Sequence, residues 1–254
     1  MVFSRDAIII TTLNEESNIK RLLDSIEIYT DSALVEVIVV DDGSSDNTLA
    51  IADQYANVTT ITTDRKTLRG EGRNIGMENT DADTYIFLDA DTVITESWFS
   101  ELKRSLSVFD IVAGFSPAPD NKQSLPRVPI IVKGQDVTYP TCNIAYKKSV
   151  IDDIGFFRTD LVTAEDIDLN YRAVLGGYLI GYNPHMVVYH YHRNTKKGFL
   201  KQAYWNGFGR FQLNRTHPQL KHQHYHGLQM KNFTRLTVGL FGLVTGRFLS
   251  KTIS

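Results

Sequence analysis

Residues 85–93 read "YIFLDADTV". An apolar run rich in strand-forming side chains stops at two carboxylates, Asp89 and Asp91, with one alanine between them. A short continuous apolar run of this kind predicts a strand buried on both faces, as in a parallel sheet. On an extended chain, residues two apart project to the same face. Two such carboxylates repel each other unless a cation sits beside them. Hard oxygen ligands suit Mg²⁺ or Mn²⁺, and Mg²⁺ usually shares its coordination with substrate phosphates. An ion held there could neutralise a departing diphosphate as a Lewis acid. Asp-x-Asp also arises by chance as a capped, solvated turn, so its meaning depends on the surrounding segments.

Upstream, "AIIITT" (7–12), "VEVIVVDD" (35–42) and "VTTITT" (58–63) read as three further strands. Between the first two, Ile19, Leu22, Leu23 and Ile26 recur at helical spacing. "SSDNTLAIADQYA" reads as a helix capped by Ser45 or Asp46. "GEGRNIGMENT" reads as a turn entering a helix, with Arg69 and Arg73 near a helix start suited to phosphate. This alternation predicts a parallel sheet whose ligands gather at the carboxyl ends of its strands. The polar clusters "TLNEE", "DDGSSD" and "DADT" end three strands, so they are expected in one crevice. Asp41 and Asp42 close the second strand ahead of Gly43. A carboxylate there can accept the imide N–H of uracil or a ring N–H of guanine; it can equally stabilise a turn and cap a helix. No Gly-Lys-Ser/Thr follows the glycines, and the first strand lacks Gly-x-Gly-x-x-Gly, which argues against a Walker loop and a dinucleotide site.

Downstream, "DIVAGF" (110–115) is a strand and "SPAPDNKQSLPRVP" (116–129) a Pro-rich loop, a candidate flap. "KKSVIDDIG" and "AEDIDLNYRAVLGG" read as short helices, and "YLIGYNPHMVVYHYH" as two short strands broken at Asn183-Pro184. "KKGFLKQAYWNGFGRFQLNR" reads as an aromatic, basic helix. Glu165, Asp166 and Asp168 open the second of the short helices, where acids complement the dipole. One of them could instead act as general base toward an attacking hydroxyl.

The ordered set "TTLNEE", "VVDDGSSDNT", "RGEGRNIGM", "YIFLDADT", "TCNIAYKKSVIDDIGFF", "TAEDIDLNYRAVLGGYLIGY" and "VVYHYH" resembles glycosyltransferase family 2 over about residues 6–215. The resemblance implies an α/β, GT-A (Rossmann-like) fold, a mostly parallel sheet flanked by helices, to which the charge distribution adds a basic helical C-terminal extension. It implies a transferase domain at 1–215, with a nucleotide-binding half at about 1–95 and an acceptor-binding half at about 96–215. Residues 216–254 would form a basic, amphipathic segment. The implied reaction is inverting, metal-dependent transfer of a single sugar, of hexosyltransferase type, with Mn²⁺ or Mg²⁺ as cofactor. Thr11, Leu13, Glu15 and Asp42 would line the base and ribose pocket, with Asp41 supporting the loop and Arg73 approaching base or diphosphate. Asp89 and Asp91 match the metal-binding Asp-x-Asp: Asp91 as direct ligand, Asp89 reaching ribose or a metal-bound water. Asp166, of the Glu165–Asp166 pair, matches the catalytic base. His190 lies where some relatives supply a further ligand, with His192 a weaker candidate. The Gln-x-x-Arg-Trp signature of processive relatives is missing, so one sugar per binding event is expected. A UDP-sugar donor is favoured and GDP-mannose stays open.

The net charge of −2 conceals a strong asymmetry. Residues 1–168 hold 15 basic and all 29 acidic residues, a formal charge of −14. The last 86 residues hold 12 Lys and Arg, all 7 His and no acid, giving +12. Such a split points to an anionic partner for the C-terminal third. An anionic membrane surface and a lipid-phosphate or lipid-linked glycan acceptor are favoured, and nucleic acid is not. The apolar stretch "FTRLTVGLFGLVTG" (233–246) falls short of the roughly 20 residues a span needs, which favours an interfacial helix. Tyr204, Trp205, Phe208 and Phe211 could form an aromatic belt ahead of it. Cys142, the sole cysteine, excludes an internal disulfide and a multi-cysteine zinc site, and reads most simply as a small core residue in a reducing compartment. The opening "MVFSRDAIII" shows no signal peptide, so a cytoplasmic, membrane-peripheral location is expected. A nucleotidyltransferase, or a non-catalytic membrane-surface binding protein on the same fold, are the alternatives.

Overall fold

The structure is a computed structural model that describes residues 5–119, 127–191 and 196–220; for 196–202 it describes the backbone alone. Apolar runs buried on both faces build the centre. In β1 (Asp6–Thr12), Ile8 and Ile10 face one core cluster and Ile9 the other. In β4 (Thr84–Asp89), Ile86 and Leu88 face the first cluster, Tyr85 and Phe87 the second. Each such side chain contributes about 1.5–3 kcal/mol by leaving water. β2 (Val35–Asp41) and β3 (Val58–Thr62) add to one side of β1, all in parallel. Only partly buried, β3 forms that edge. α1 (Ile19–Tyr29) buries Ile19, Leu22, Leu23 and Ile26 against the first cluster, as their spacing demands. α2 (Thr48–Ala52) and α3 (Arg69–Glu78) complete the first half.

Beyond β4 the sheet departs from the expected parallel pattern. After β5 (Thr92–Ile94), α4 (Trp98–Leu106) and β6 (Ile111–Phe115) come a small hairpin, β7 (Ile131–Val132) and β8 (Gln135–Asp136), then β9 (Asn143–Lys147). β9 inserts antiparallel between β4 and β6. α5 (Lys148–Ile154), α6 (Glu165–Leu175), β10 (Ile180–His190) and α7 (Lys196–Thr216) follow. The strand order is β3-β2-β1-β4-β9-β6-β10-β5. Four neighbouring pairs are parallel and three antiparallel, so the sheet is mixed rather than mostly parallel.

Two local expectations also change. "GEGRNIGM" is itself helical, because α3 begins at Arg69. Asn183-Pro184 does not break the chain into two strands: β10 continues through it, with a register shift between Asn183 and Val187 against β6. That irregularity absorbs a proline that cannot donate to the ladder. Among the described residues no helix is long and apolar enough to cross a membrane. Residues 120–126 of the Pro-rich loop, His192 and the segment 221–254, including 233–246, lie outside the described residues.

Candidate active site

The first two strand ends are knitted into one rim. Asp42 N–H bonds Thr12 O at 2.9 Å. The backbone N–H groups of Asn14 and Glu15 donate to Ser44 Oγ and Thr48 Oγ1, each at 2.8 Å. Asp41 is fully buried and its Oδ2 accepts the N–H groups of Gly43 at 3.0 Å and Ser44 at 2.7 Å, so it shapes the loop. Asp42 is half-buried; its Oδ1 accepts from the N–H and hydroxyl of Thr67. Thr11 pairs in register with Asp89. Leu13 is exposed at the rim, and Glu15 Oε2 accepts from Asn18 Nδ2 at 2.6 Å. Asp46 rather than Ser45 bonds the amide of Thr48, at 3.1 Å, at the start of α2.

Two glycines bring α3 over this rim. A Cβ on Gly76 would overlap Ile9 Cγ2, and one on Gly72 would stand 3.0 Å from Thr11 Cγ2. The close approach carries Arg73 into the interior, where it is 3% exposed. Its guanidinium bonds Glu165 Oε1 at 2.6 Å and lies 3.6 Å from Asp89 Oδ1. Arg73, expected to approach base or diphosphate, therefore also ties the end of β4 to the start of α6. The guanidinium opposes its own desolvation through Glu165, then Asp89, which hold its pKa above the ordinary arginine value.

Glu165 is buried on Arg73, whereas Asp166 is half-buried. Burial raises the Asp166 carboxyl to about 7, helped by the neighbouring Glu165 charge and opposed by Arg73, the Ile167 N–H and Arg69. Asp168 is not at the opening at all: fully buried, it pairs with Arg172 at 2.8 Å and His217 at 2.7 Å. Ala164, immediately before Glu165, adopts φ 68°, a left-handed conformation that costs a non-glycine residue about 1–2 kcal/mol. The neighbouring loop is held from α7. Gln212 bonds Val162 N and Asp160 O, each at 3.0 Å; Thr163 Oγ1 donates to Trp205 O at 2.9 Å; Gly209 lets the helix touch Thr163.

At the far wall, His190 Nε2 is 2.9 Å from Asp91 Oδ1 and 3.9 Å from Asp89 Oδ2. The imidazole is pushed up to about 11: burial opposes its charge, but the Asp91 hydrogen bond, the adjoining Cys142 and Asp89 outweigh it. A protonated ring thus balances carboxylates that a divalent ion could balance instead. Asp89, Cys142 and His190 each offer a donor atom within 4.8 Å of one another. Sequence reasoning missed Cys142, Thr67 and Gln212, because each reaches the site through a strand direction or contact that no local pattern encodes.

The model of the family described as Glycosyl transferase family 2 matches residues 7–159. This chain belongs to that family. Among curated proteins, it is 27% identical over 230 residues to the O-antigen chain rhamnosyltransferase RfbN of Salmonella typhimurium, covering 79% of this chain and 70% of that one. It is 26% identical over 227 residues to the glycosyltransferase AglE of Haloferax volcanii, covering 82% and 73%. Among solved structures, the mannosyltransferase PcManGT of Pyrobaculum calidifontis, in complex with GDP-Man and Mn²⁺, superposes with a TM-score of 0.71 at 16% identity, over 96% of this chain and 75% of that one. S. aureus TarS with UDP-GlcNAc gives a TM-score of 0.69 at 16% identity, over 92% and 79%. The family 2 chain is thus a glycosyltransferase with the GT-A type of α/β fold.

Proposed function

We propose that this transferase moves one sugar from a nucleoside-diphosphate sugar to a hydroxyl or phosphate acceptor, with inversion at the anomeric carbon. The observation that carries the reading is the Arg73 bridge, which holds the Asp89 end of β4 and the Glu165–Asp166 start of α6 on one opening.

Thr11, Leu13, Glu15 and Asp42 line the base and ribose pocket, and Asp41 holds its loop. With Asp42 Oδ1 engaged by Thr67, Oδ2 is positioned to accept one ring N–H, as uracil offers; guanine presents two adjacent donors. That favours a UDP-sugar over GDP-mannose. Asp89, Asp91 and His190 fit a divalent cation, Mn²⁺ or Mg²⁺: their donors converge at one strand end, where a protonated His190 otherwise supplies the neutralising charge. When bound, such an ion would supply Lewis-acid stabilisation of the departing diphosphate.

Asp166 takes the acceptor's proton as the acceptor oxygen attacks the face of the anomeric carbon opposite the diphosphate. Its pKa near 7 matches that work, because a base is most useful near the operating pH. Buried Glu165 is a positioning residue that acts through Arg73. Trp205 stands exposed where α7 meets the loop before α6. The basic chain beyond α7 suits a lipid-linked acceptor on an anionic membrane surface.

Calorimetric titration of UDP and GDP, with and without Mn²⁺, tests the reading on wild type and Asp91→Asn. Mn²⁺-dependent UDP binding that weakens at least about tenfold in the variant is expected. Failure of both nucleotides to bind under every metal condition would remove it.

A further inference from the structure

Cys142 is a donor for which the transferase mechanism has no use. It directly precedes β9 and is 5% exposed. Because β9 runs antiparallel to β4, Asn143 pairs with Leu88, and the residue before it reaches the same end as Asp89. The thiol, an Asp89 oxygen and a His190 ring nitrogen then lie within 4.8 Å of one another. Asp91 stands beside this trio rather than inside it: its Oδ1 lies 2.9 Å from His190 Nε2, from where it can turn in as a fourth ligand. The cluster thus offers two oxygens, one nitrogen and one sulfur.

Its mounting is firm. Asn143 accepts Trp98 Nε1–H at 2.9 Å and donates to Met186 O at 2.9 Å and Phe115 O at 3.2 Å, fixing the backbone beside the thiol. Cys142 Sγ–H donates to Ser116 Oγ at 3.6 Å, a hydroxyl that can turn its own proton toward the sulfur once the thiol is deprotonated. Such outer partners orient and tune metal ligands.

The donor chemistry sets the ion. Zn²⁺ accepts tetrahedral mixtures of sulfur at about 2.3 Å, nitrogen at about 2.0–2.1 Å and oxygen at about 2.0–2.2 Å. Such bonds place tetrahedral ligand atoms about 3.3–3.8 Å apart, so Asp89, Cys142 and His190 need a closure of at most about 1–1.5 Å, and a turn of the Asp91 carboxylate supplies the fourth ligand. Mg²⁺ wants octahedral oxygen and draws nothing from a thiolate, and Mn²⁺ stands below Zn²⁺ in the affinity order. We propose that Asp89, Asp91, Cys142 and His190 form a thiolate-containing Zn²⁺ site overlapping the catalytic metal position. Zn²⁺ captured there displaces Mn²⁺ or Mg²⁺ and inhibits the transferase. On binding, the Cys142 S–H bond breaks, a sulfur–zinc bond forms and the proton passes to solvent, as does the one carried by His190. Four protein ligands close the coordination sphere and leave no position for the diphosphate. The inhibitory consequence rests on the transferase reading; the ligand set does not.

Co²⁺ reports the site directly, because thiolate ligation gives an intense near-ultraviolet charge-transfer band. The protein alone would be titrated with Co²⁺, then with Zn²⁺ in competition, for wild type, Cys142→Ser and Cys142→Ala, with circular dichroism as the folding control. The expected result is a band in wild type that Zn²⁺ abolishes and that both variants lack. Zn²⁺ affinity should fall at least about tenfold in both variants. Mn²⁺ affinity with UDP present, read by electron paramagnetic resonance, should shift less than about threefold. Co²⁺ bound to wild type without the band, no Co²⁺ or Zn²⁺ binding, or equal Zn²⁺ affinity in folded variants would overturn the proposal. A thiolate band in a protein that binds no nucleotide would remove the transferase reading alone; Mn²⁺-dependent UDP binding without the band would remove the zinc site alone.

Discussion

The two ends of the sheet treat their acids in opposite ways. At the amino end, fully buried Asp6 holds Lys103 at 3.0 and 2.8 Å, Asp110 lies 3.5 Å from Lys147, and Asp152 lies 3.1 Å from Lys148. A hollow of ≈ 560 Å³ opens there, lined by these lysines with Asp83, Thr84 and Ser149. Its lysines are already matched, so it offers little to an anion. At the carboxyl end, Asp89, Asp91, Glu165 and Asp166 share Arg73, His190 and the more distant Arg69. Matched pairs hold a fold; acids crowded beyond their cations hold a task.

The largest effect follows from Asp166→Asn, at the carboxyl end. Turnover should drop about 10²–10⁴-fold, the range for losing a general base, with nucleotide binding preserved. Normal turnover would mean that Asp166 takes no proton in the reaction. The same variant carries a stability signature. An acid held at about 7 rather than 3.8 costs the fold stability as pH rises through that interval. The variant's Tm should therefore exceed wild type's at pH 8, with the gap closed near pH 4, as thermal melts across pH would show.

Glu165→Gln sharpens the comparison at the same end. Removing the Glu165 charge removes one of the causes that raise Asp166, so the acidic limb of the kcat/KM profile should move to lower pH. An unmoved limb would mean that Asp166 does not govern it. At the opposite end, Lys103→Ala leaves buried Asp6 without its cation and should cost about 1–3 kcal/mol in denaturant unfolding, with kcat unchanged. The smallest effect is expected for Lys148→Ala, whose i,i+4 partner Asp152 is exposed: about 0.5 kcal/mol or less, again without loss of turnover.

Much of the first half was legible because its signals are local. The apolar runs of β1, β2 and β4 could only be buried strands, and the Ile19–Ile26 spacing could only bury one face of a helix. The three polar strand ends followed from the parallel order. β9 was not legible, since five residues with no turn signal do not state their direction, and that direction puts Cys142 beside Asp89. Pro184 suggested a break that the β10 irregularity absorbs. The pairing of Arg73 with Glu165 was not legible either, because the two lie 92 positions apart.

The clasp that α7 places on the loop before Glu165 has a consequence for the order in which the protein becomes an enzyme. During synthesis, every strand of the sheet among the described residues has been made once His190 has emerged. The contacts to Asp160, Val162 and Thr163 wait for Trp205, Gly209 and Gln212, and the Asp168 pairing waits for His217. A ribosome-bound chain can therefore complete its sheet before Asp166, beside Glu165, is set in place.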